Sequence, residues 1–259
     1  MTRLLDSKNT IVYGGGGIGG GVARTFAREG ARVFLAGRTR EKLEAIAADI
    51  RDHGGSADVA VVDVLDGNAV DEHAAAVVAE AGSIDATFLA VGRGDVQGTP
   101  LIDMTADDVT RAATNGLLST FHTSRAAARQ MAKQGSGAIL TLTSATAAFP
   151  SAGMGSTGPA DAAVESFMQT LAHEVGPQGV RVAVLWSAGV VETLTRESIA
   201  QAGVDIDPAQ VIEMISGQSM LGRAPRLQQV ADTAAFLASD RATGITATVV
   251  NVTSGLVAR

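Results

Sequence analysis

Glycines carry the first chemistry in this chain. The tract "YGGGGIGGG" spans residues 13–21, and a Gly-x-Gly-x-x-Gly spacing can be read in it from Gly14, Gly16 and Gly19, or one residue later. Gly17 and Ile18 lie inside the tract, which follows the strand-like "TIVY" and opens a helix-like segment. At such a turn the unpaired N–H groups and the helix dipole attract anions, and glycine lets the backbone approach a pyrophosphate. The alternative is a merely flexible tract. The next strand-like run ends "FLAGRTREK". A carboxylate there would accept the ribose hydroxyls of NAD, but the run closes on Ala36 and Gly37 with Arg38 following, and a guanidinium suits a ribose 2′-phosphate. The reading is NADP(H) in preference to NAD(H), against a solvated surface arginine. Asp63 in "VVDV", with Val64 beside it, is placed to receive an adenine amino group or, equally, to cap a turn.

The second chemical question is set by "GMGSTGPADAAVESF", Gly153 to Phe167. It reads as a helix start, yet it holds only small hydroxyls, Asp161 and Glu165, with no tyrosine, lysine, histidine or cysteine. Asp161 is either a buried carboxylate able to act as general acid or base, or an acid near a helix N-terminus with Ser156 and Thr157 as candidate caps and Pro159 near the first turn. The four histidines, at 53, 73, 122 and 173, show no ligand-like spacing, and no cysteine is present, so no metal site is expected. His122 stands about two helical turns after Asn115 on the same face, where it either reaches a pocket or packs between helices.

The elements that must position these residues alternate along the chain. Short β-branched runs ("TIVY", "ARVFLAG", "ADVAVVDV", "IDATFLAVG", "GAILTLTS", "GVRVAVLWS", "TATVVNV") are separated by amphipathic segments, the longest from about residue 106 to 134. Thr39 is the expected N-cap of the second helix. About seven strands, each apolar on both faces, require a parallel sheet covered by helices: a doubly wound, three-layer α/β domain. No linker or repeat interrupts the 259 residues, so one domain is expected, with 192–226 as a lid-like insertion on the substrate side. A net charge of −7 argues against nucleic acid or an anionic membrane as partner. The N-terminus lacks a signal-peptide run and no stretch is apolar enough to span a membrane, so a cytoplasmic protein with a small-molecule substrate is expected.

Taken together, "IVYGGGGIGGGVARTFAREGARVFLAGR", "VVDV", "NGLLSTFHTSRAAARQM", "GAILTLTSATA", "AAVESFMQTLAHEVGPQGVRV" and "VADTAAFLASDRATGITATVVNV" resemble the short-chain dehydrogenase/reductase family along nearly the whole chain. "GPQGVRV" and "SAGVVET" also resemble its enoyl-thioester reductase branch. The resemblance implies a Rossmann-type sheet of seven strands and a homotetramer or dimer packed through the two long central helices and the C-terminal segment. Position by position, it implies that Asn115 orders a water in a proton relay and that Ser144 polarises the substrate carbonyl. It places Val190 and Thr193 against the nicotinamide amide. The family's Asn-Asn-Ala-Gly becomes "LAVG", with Val91 and Gly92 lining the cofactor, and the closing glycines of its phosphate loop fall on Gly17, Ile18 and Gly19.

The family's tyrosine and lysine fall on Thr157 and Asp161. The wider spacing of the enoyl reductase branch would put the tyrosine on Met154, and the chain's single tyrosine, Tyr13, is expected in the cofactor loop. An aliphatic hydroxyl is far too weak an acid to replace a phenol at neutral pH. Thr157 can still donate a hydrogen bond, together with Ser144, to a carbonyl oxygen, and Asp161 can accept from ribose hydroxyls. Three readings follow: an NADP(H)-dependent oxidoreductase with a non-standard proton donor acting on a carbonyl, alcohol or enoyl group; a nucleotide- or ligand-binding pseudoenzyme; and a non-redox dehydratase or isomerase using Asp161 as base.

Overall fold

Seven parallel strands form one sheet, and the end of each strand decides what the molecule can hold. The computed structural model describes residues 3–258. In chain order the elements are β1 (Asn9–Tyr13), α1 (Gly17–Arg28), β2 (Arg32–Gly37), α2 (Arg40–Asp52), β3 (Ser56–Val61), α3 (Gly67–Ala81) and β4 (Ala86–Leu89). They continue with α4 (Ala106–Gln134), β5 (Gly137–Ser144), α5 (Thr157–Val175), β6 (Val180–Ser187), α6 (Arg196–Gln201), α7 (Pro208–Gln218), α8 (Leu227–Ala238) and β7 (Thr248–Val252). The strand order is β3-β2-β1-β4-β5-β6-β7. The chain reverses direction between β1 and β4, so a crevice opens there at the carboxyl ends of the strands, the usual ligand position in such sheets.

Helices cover both faces. Val22, Phe26, Leu43, Ile46 and Val230 pack α1, α2 and α8 against one face. Val70, Val77, Ala127, Met131, Val164 and Met168 pack α3, α4 and α5 against the other. The doubly wound three-layer expectation therefore holds. The expectation that all strands are buried on both faces holds only for the central five: β3 and β7 lie at the sheet edges and are partly exposed along their length. The segment 192–226 is not irregular throughout; it contains α6 and α7.

Local signals are obeyed where nothing competes with them. α4 begins with a reciprocal capping box between Thr105 and Asp108 and ends at Gly135 in the left-handed conformation. Thr39 stands at the N-cap of α2 but its side chain makes no capping bond. The same holds for Ser156 at the N-cap of α5. Its hydroxyl is engaged elsewhere, accepting from the Val96 N–H at 2.8 Å and donating to the Val96 carbonyl at 3.0 Å. Tyr13 is also not a loop residue. It ends β1, buried, with its ring edge-on to His73 at 5.8 Å. Burial and the nearby Asp71 charge raise its phenol far above the ordinary value, so it supplies no acid chemistry.

Candidate active site

The turn between β1 and α1 is built by backbone proximity. A Cβ on Gly14, which has φ +125°, would lie 2.1 Å from the Ala90 carbonyl oxygen, and one on Gly19 would lie 2.2 Å from the Gly14 carbonyl oxygen. These two positions accept nothing larger than glycine. Gly16 and Gly17 are exposed, no side chain caps α1, and its first turn holds no acidic residue. The helix start therefore presents unpaired N–H groups and a positive dipole end, the fit required by a pyrophosphate. Gly17 abuts the Thr193 methyl, since a Cβ there would lie 2.7 Å from it. Thr193 Oγ1 donates to the carbonyl of Val190, a buried residue.

From this turn a cavity of about 480 Å³ runs along the crevice. Gly14, Gly16, Arg38, Asp63, Val64, Val91, Gly92 and Asn115, all singled out from the sequence, line it. Lys42, Arg93, Ser119 and Gln201 line it as well, and none of these was singled out from the sequence. Arg38 and Lys42 are exposed and belong to no ion pair found among the described residues, so two cations face the crevice beside the end of β2. Asp63 accepts a hydrogen bond from the Leu65 N–H at 3.0 Å, which makes it a turn aspartate; it remains exposed at the cavity wall. Gly17, Ile18, Gly19, Ser144, Thr157, Asp161, Val190 and Thr193 are not among the residues that line it.

At the carboxyl end of β5 the chemistry concentrates on Asp161. Its carboxylate is wholly buried and every hydrogen bond it makes is one it accepts. Arg93 Nη1 donates to Oδ1 at 2.7 Å. The Ser144 N–H at 3.1 Å, the Ser144 hydroxyl at 2.5 Å and the Thr146 hydroxyl at 3.0 Å meet Oδ2. Asp161 is thus not a helix-start carboxylate: it is the fifth residue of α5, faces β5, and bonds no N–H of its own helix. It is the acidic half of an ion pair, and its surroundings supply donors rather than a proton acceptor.

Arg93, in the loop after β4, is held on the other side by Asp95, through Nη2 at 2.8 Å and Nε at 3.3 Å. Burial alone would lower its pKa, but the Asp161 and Asp95 charges outweigh that and raise it. Its aliphatic stem crosses α4 at Gly116, where a Cβ would come within 2.8 Å of the Arg93 Cδ. Asn115 donates from Nδ2 to the Arg93 carbonyl at 3.0 Å, so the same loop is braced at two points of α4. The result is a buried charge pair, a carboxylate on α5 and a guanidinium from the β4 loop.

The hydroxyls near Asp161 can be counted. Ser144 Oγ lies 2.6 Å from Thr146 Oγ1, in addition to their contacts with Asp161 Oδ2. Three short oxygen contacts share two hydroxyl hydrogens. A 2.5 Å contact between oxygens requires a hydrogen between them, and only Ser144 can supply it. Its donor is therefore spent on Asp161, and the expectation that Ser144 donates to a carbonyl is not met in this arrangement. Thr157 is not part of the cluster. It is buried, and its hydroxyl has no partner. One turn beyond Asp161, buried Glu165 accepts from Trp186 Nε1 at 2.5 Å and from Thr143 Oγ1 at 3.0 Å, a second carboxylate beneath the site. His122 bonds the Val64 carbonyl at 3.0 Å, away from Asp161. Among the described residues no cluster of histidine, cysteine or acidic residues could hold a metal, and no helix is long and apolar enough to cross a membrane.

Of the residues that sequence reasoning missed, Arg93 had a signal. It directly follows "LAVG", and a carboxylate at a buried lysine position needs a cation from somewhere nearby. Thr146 had none beyond its place two residues after Ser144.

Comparison with known proteins fits this architecture. Residues 14–257 match the family described as Enoyl-(Acyl carrier protein) reductase. An oxidoreductase, asL5, of Sarocladium schorii is 30% identical over 98% of this chain and 97% of its own length. The 3-oxoacyl-(acyl-carrier-protein) reductase FabG of Chlamydia muridarum is 30% identical over 99% of this chain and all of its own. Among solved structures, NAD+-bound xylitol dehydrogenase superposes with a TM-score of 0.87 at 27% identity, covering 97% of this chain and 99% of that one. With this match along most of its length, its glycine turn and its strand order, the chain belongs to the short-chain dehydrogenase/reductase family.

Proposed function

We propose that this protein transfers hydride between NADP(H) and a small organic substrate of the carbonyl, alcohol or enoyl kind, with Arg93, Asp161 and Ser144 replacing the family's tyrosine–lysine arrangement. The observation that carries this reading is the crevice itself: one cavity joins the uncapped start of α1, two free cations at Arg38 and Lys42, and the Arg93–Asn115 wall. Bound there, a reduced nicotinamide supplies hydride. This chain's residues hold the pyrophosphate on Gly14–Gly19, balance a 2′-phosphate with Arg38 and Lys42, and fix the far wall through Asn115 and Arg93. The named relatives are an oxidoreductase, a reductase and a dehydrogenase, each matched over nearly its whole length, and the xylitol enzyme is described with NAD+ bound, which supports the class though not the phosphate preference. Leu117, Leu118 and Phe121, exposed along α4, support a dimer or tetramer packed through α4 and α5.

Fluorescence titration with NADPH and NADH tests the reading. NADPH is expected to bind at least tenfold more tightly than NADH, and Arg38→Asp with Lys42→Glu to remove that difference while leaving NADH affinity in place. Absence of binding to either nucleotide overturns it. The lack of any phenol near Ser144 favours a second reading, a binding protein that holds the nucleotide without turnover. Tight NADPH binding with no oxidation by carbonyl, enone or imine substrates would establish that alternative. The non-redox reading, with Asp161 as base, is the least supported, because that carboxylate is already saturated with donors.

A further inference from the structure

Hydride addition to a carbonyl must be matched by a proton, and the cavity is poor in acids. No tyrosine, histidine or cysteine is among the residues that line it. Its one carboxyl, Asp63, and its one ammonium, Lys42, stand at the β2–β3 end, which the reading above gives to the nucleotide. On the other side of β1 the wall is Arg93, after β4, with Asn115 and Ser119 on α4. Arg93 is a cation with donors to spare. A guanidinium has five N–H donors, and the described residues take three: Nε and Nη2 donate to Asp95, and Nη1 donates to Asp161. Two remain, one on each terminal nitrogen, on a side chain that lines the cavity and is 15% exposed. Asp95 and Asp161 do not line the cavity, so a ligand there meets the guanidinium and not the carboxylates that hold it. Their charges keep it protonated although burial opposes this. Arg93 can therefore donate hydrogen bonds and balance a negative charge, but it gives up no proton.

From these features we infer that the substrate is a quinone, reduced to its hydroquinone anion with the charged oxygen held by Arg93. The inference rests on the NADP(H) reading above and names its substrate class. Hydride forms an O–H bond at one quinone oxygen. The π electrons of the two carbonyls and the ring reorganise into an aromatic ring, and the opposite oxygen takes the negative charge. The quinone is reduced by two electrons, with NADPH, the co-reactant, oxidised to NADP+. No proton enters or leaves in the step. The charge that develops is that of a phenolate, whose conjugate acid has an ordinary pKa of about 10. Such an anion needs no acid at the moment of transfer, and the two unspent N–H groups of a fixed guanidinium suit it. A simple ketone would instead give an alkoxide about as basic as hydroxide, the conjugate base of water with its pKa of about 16. That oxygen must be protonated as it forms, and this wall holds no group to do so.

The chain has no cysteine, so quinones can be offered to it without thiol addition. Turnover of menadione and 1,4-naphthoquinone by the whole protein at saturating NADPH, corrected for the uncatalysed reaction, should be compared with that of 1-tetralone and cyclohexenone. The quinones are expected to show kcat/KM at least a hundredfold higher. Arg93→Lys keeps the charge but not the planar fork, and is expected to lower quinone kcat/KM tenfold or more. Because that variant disturbs a buried ion pair, calorimetry on the unaltered protein saturated with NADPH provides an independent test. Pentafluorophenolate is expected to bind at least tenfold more tightly than its neutral ether, pentafluoroanisole. Ketone or enone turnover matching that of the quinones, no quinone turnover with NADPH bound, a folded Arg93→Lys variant as fast as the unaltered protein, or equal binding of phenolate and ether overturns the inference while leaving nucleotide binding intact. Failure to bind NADPH overturns the reading beneath it as well.

Discussion

At the scale of single residues, the Arg93–Asp161 pair shows how a carboxylate persists at a fully buried position. Asp161 is 0% exposed and the Arg93 side chain 15%, so neither charge is tolerated there without the other. Arg93→Met leaves an unpaired carboxylate and is expected to cost about 3–5 kcal/mol of stability, measured by urea denaturation. Arg93→Met combined with Asp161→Leu removes both charges, and the double variant is expected to be more stable than Arg93→Met alone. If the double variant is the less stable of the two, the two side chains are not coupled as described. Ser144→Ala gives a milder contrast. It removes the 2.5 Å bond but keeps the Ser144 N–H and Thr146 bonds to the same carboxylate. A cost of about 0.5–3 kcal/mol is expected, smaller than for loss of Arg93.

At the scale of elements, the position of Arg93 depends on a glycine in the middle of the longest helix. Gly116 lies within α4, where helix propensity alone favours alanine by about 1 kcal/mol. The Cβ of that alanine would meet the Arg93 Cδ at 2.8 Å, and the guanidinium beyond it is fixed at both ends by Asp95 and Asp161, so the stem has little freedom to move aside. Gly116→Ala is therefore expected to destabilise despite its better propensity, and a gain in urea midpoint would show that the Arg93 stem is not confined there. Sequence patterns reached as far as the elements but not across them. The bounds of β5, "GAILTLTS", and the helical stretch from about residue 106 to 134 were legible because apolar patterns act within a few residues, though not that the stretch is one helix, α4. Gly14 and Gly19 were legible as members of a tight glycine turn for the same reason. Arg93 and Thr146 lie on loops after β4 and β5, and what they touch is set by how those loops cross α4 and α5. The Ser156 cap failed for a related reason: its hydroxyl is 60 residues from its Val96 partner along the chain. Local capping energy of about 1 kcal/mol is easily outweighed by such a tertiary bond.

At the scale of the whole molecule, the helix layer on the far side of β1 contains a proton-sensitive position that the active site does not share. His73, on α3, packs edge-on against buried Tyr13, and its Nδ1 has no hydrogen-bond partner. Burial lowers its pKa to about 4, so the folded chain keeps it neutral where an unfolded chain, near pH 6.5, would protonate it. The folded state therefore binds fewer protons between these two values. By linkage, the stabilisation is complete above about pH 6.5 and is lost progressively as pH falls toward 4, with a slope of at most about 1.4 kcal/mol per pH unit. Asp71 on the same helix does not reverse this, because its carboxylate is already engaged by Arg125 at 2.8 Å and Arg129 at 3.3 Å. Urea denaturation at pH 7.0 and pH 5.0 is expected to find the unaltered protein less stable at the lower pH by up to about 2 kcal/mol more than His73→Leu. Leucine suits the position because the buried Nδ1 has no hydrogen-bond partner to lose. The difference between the two pH dependences isolates His73. Parallel pH dependences would mean that the imidazole reaches solvent on protonation, and that α3 opens there at little cost.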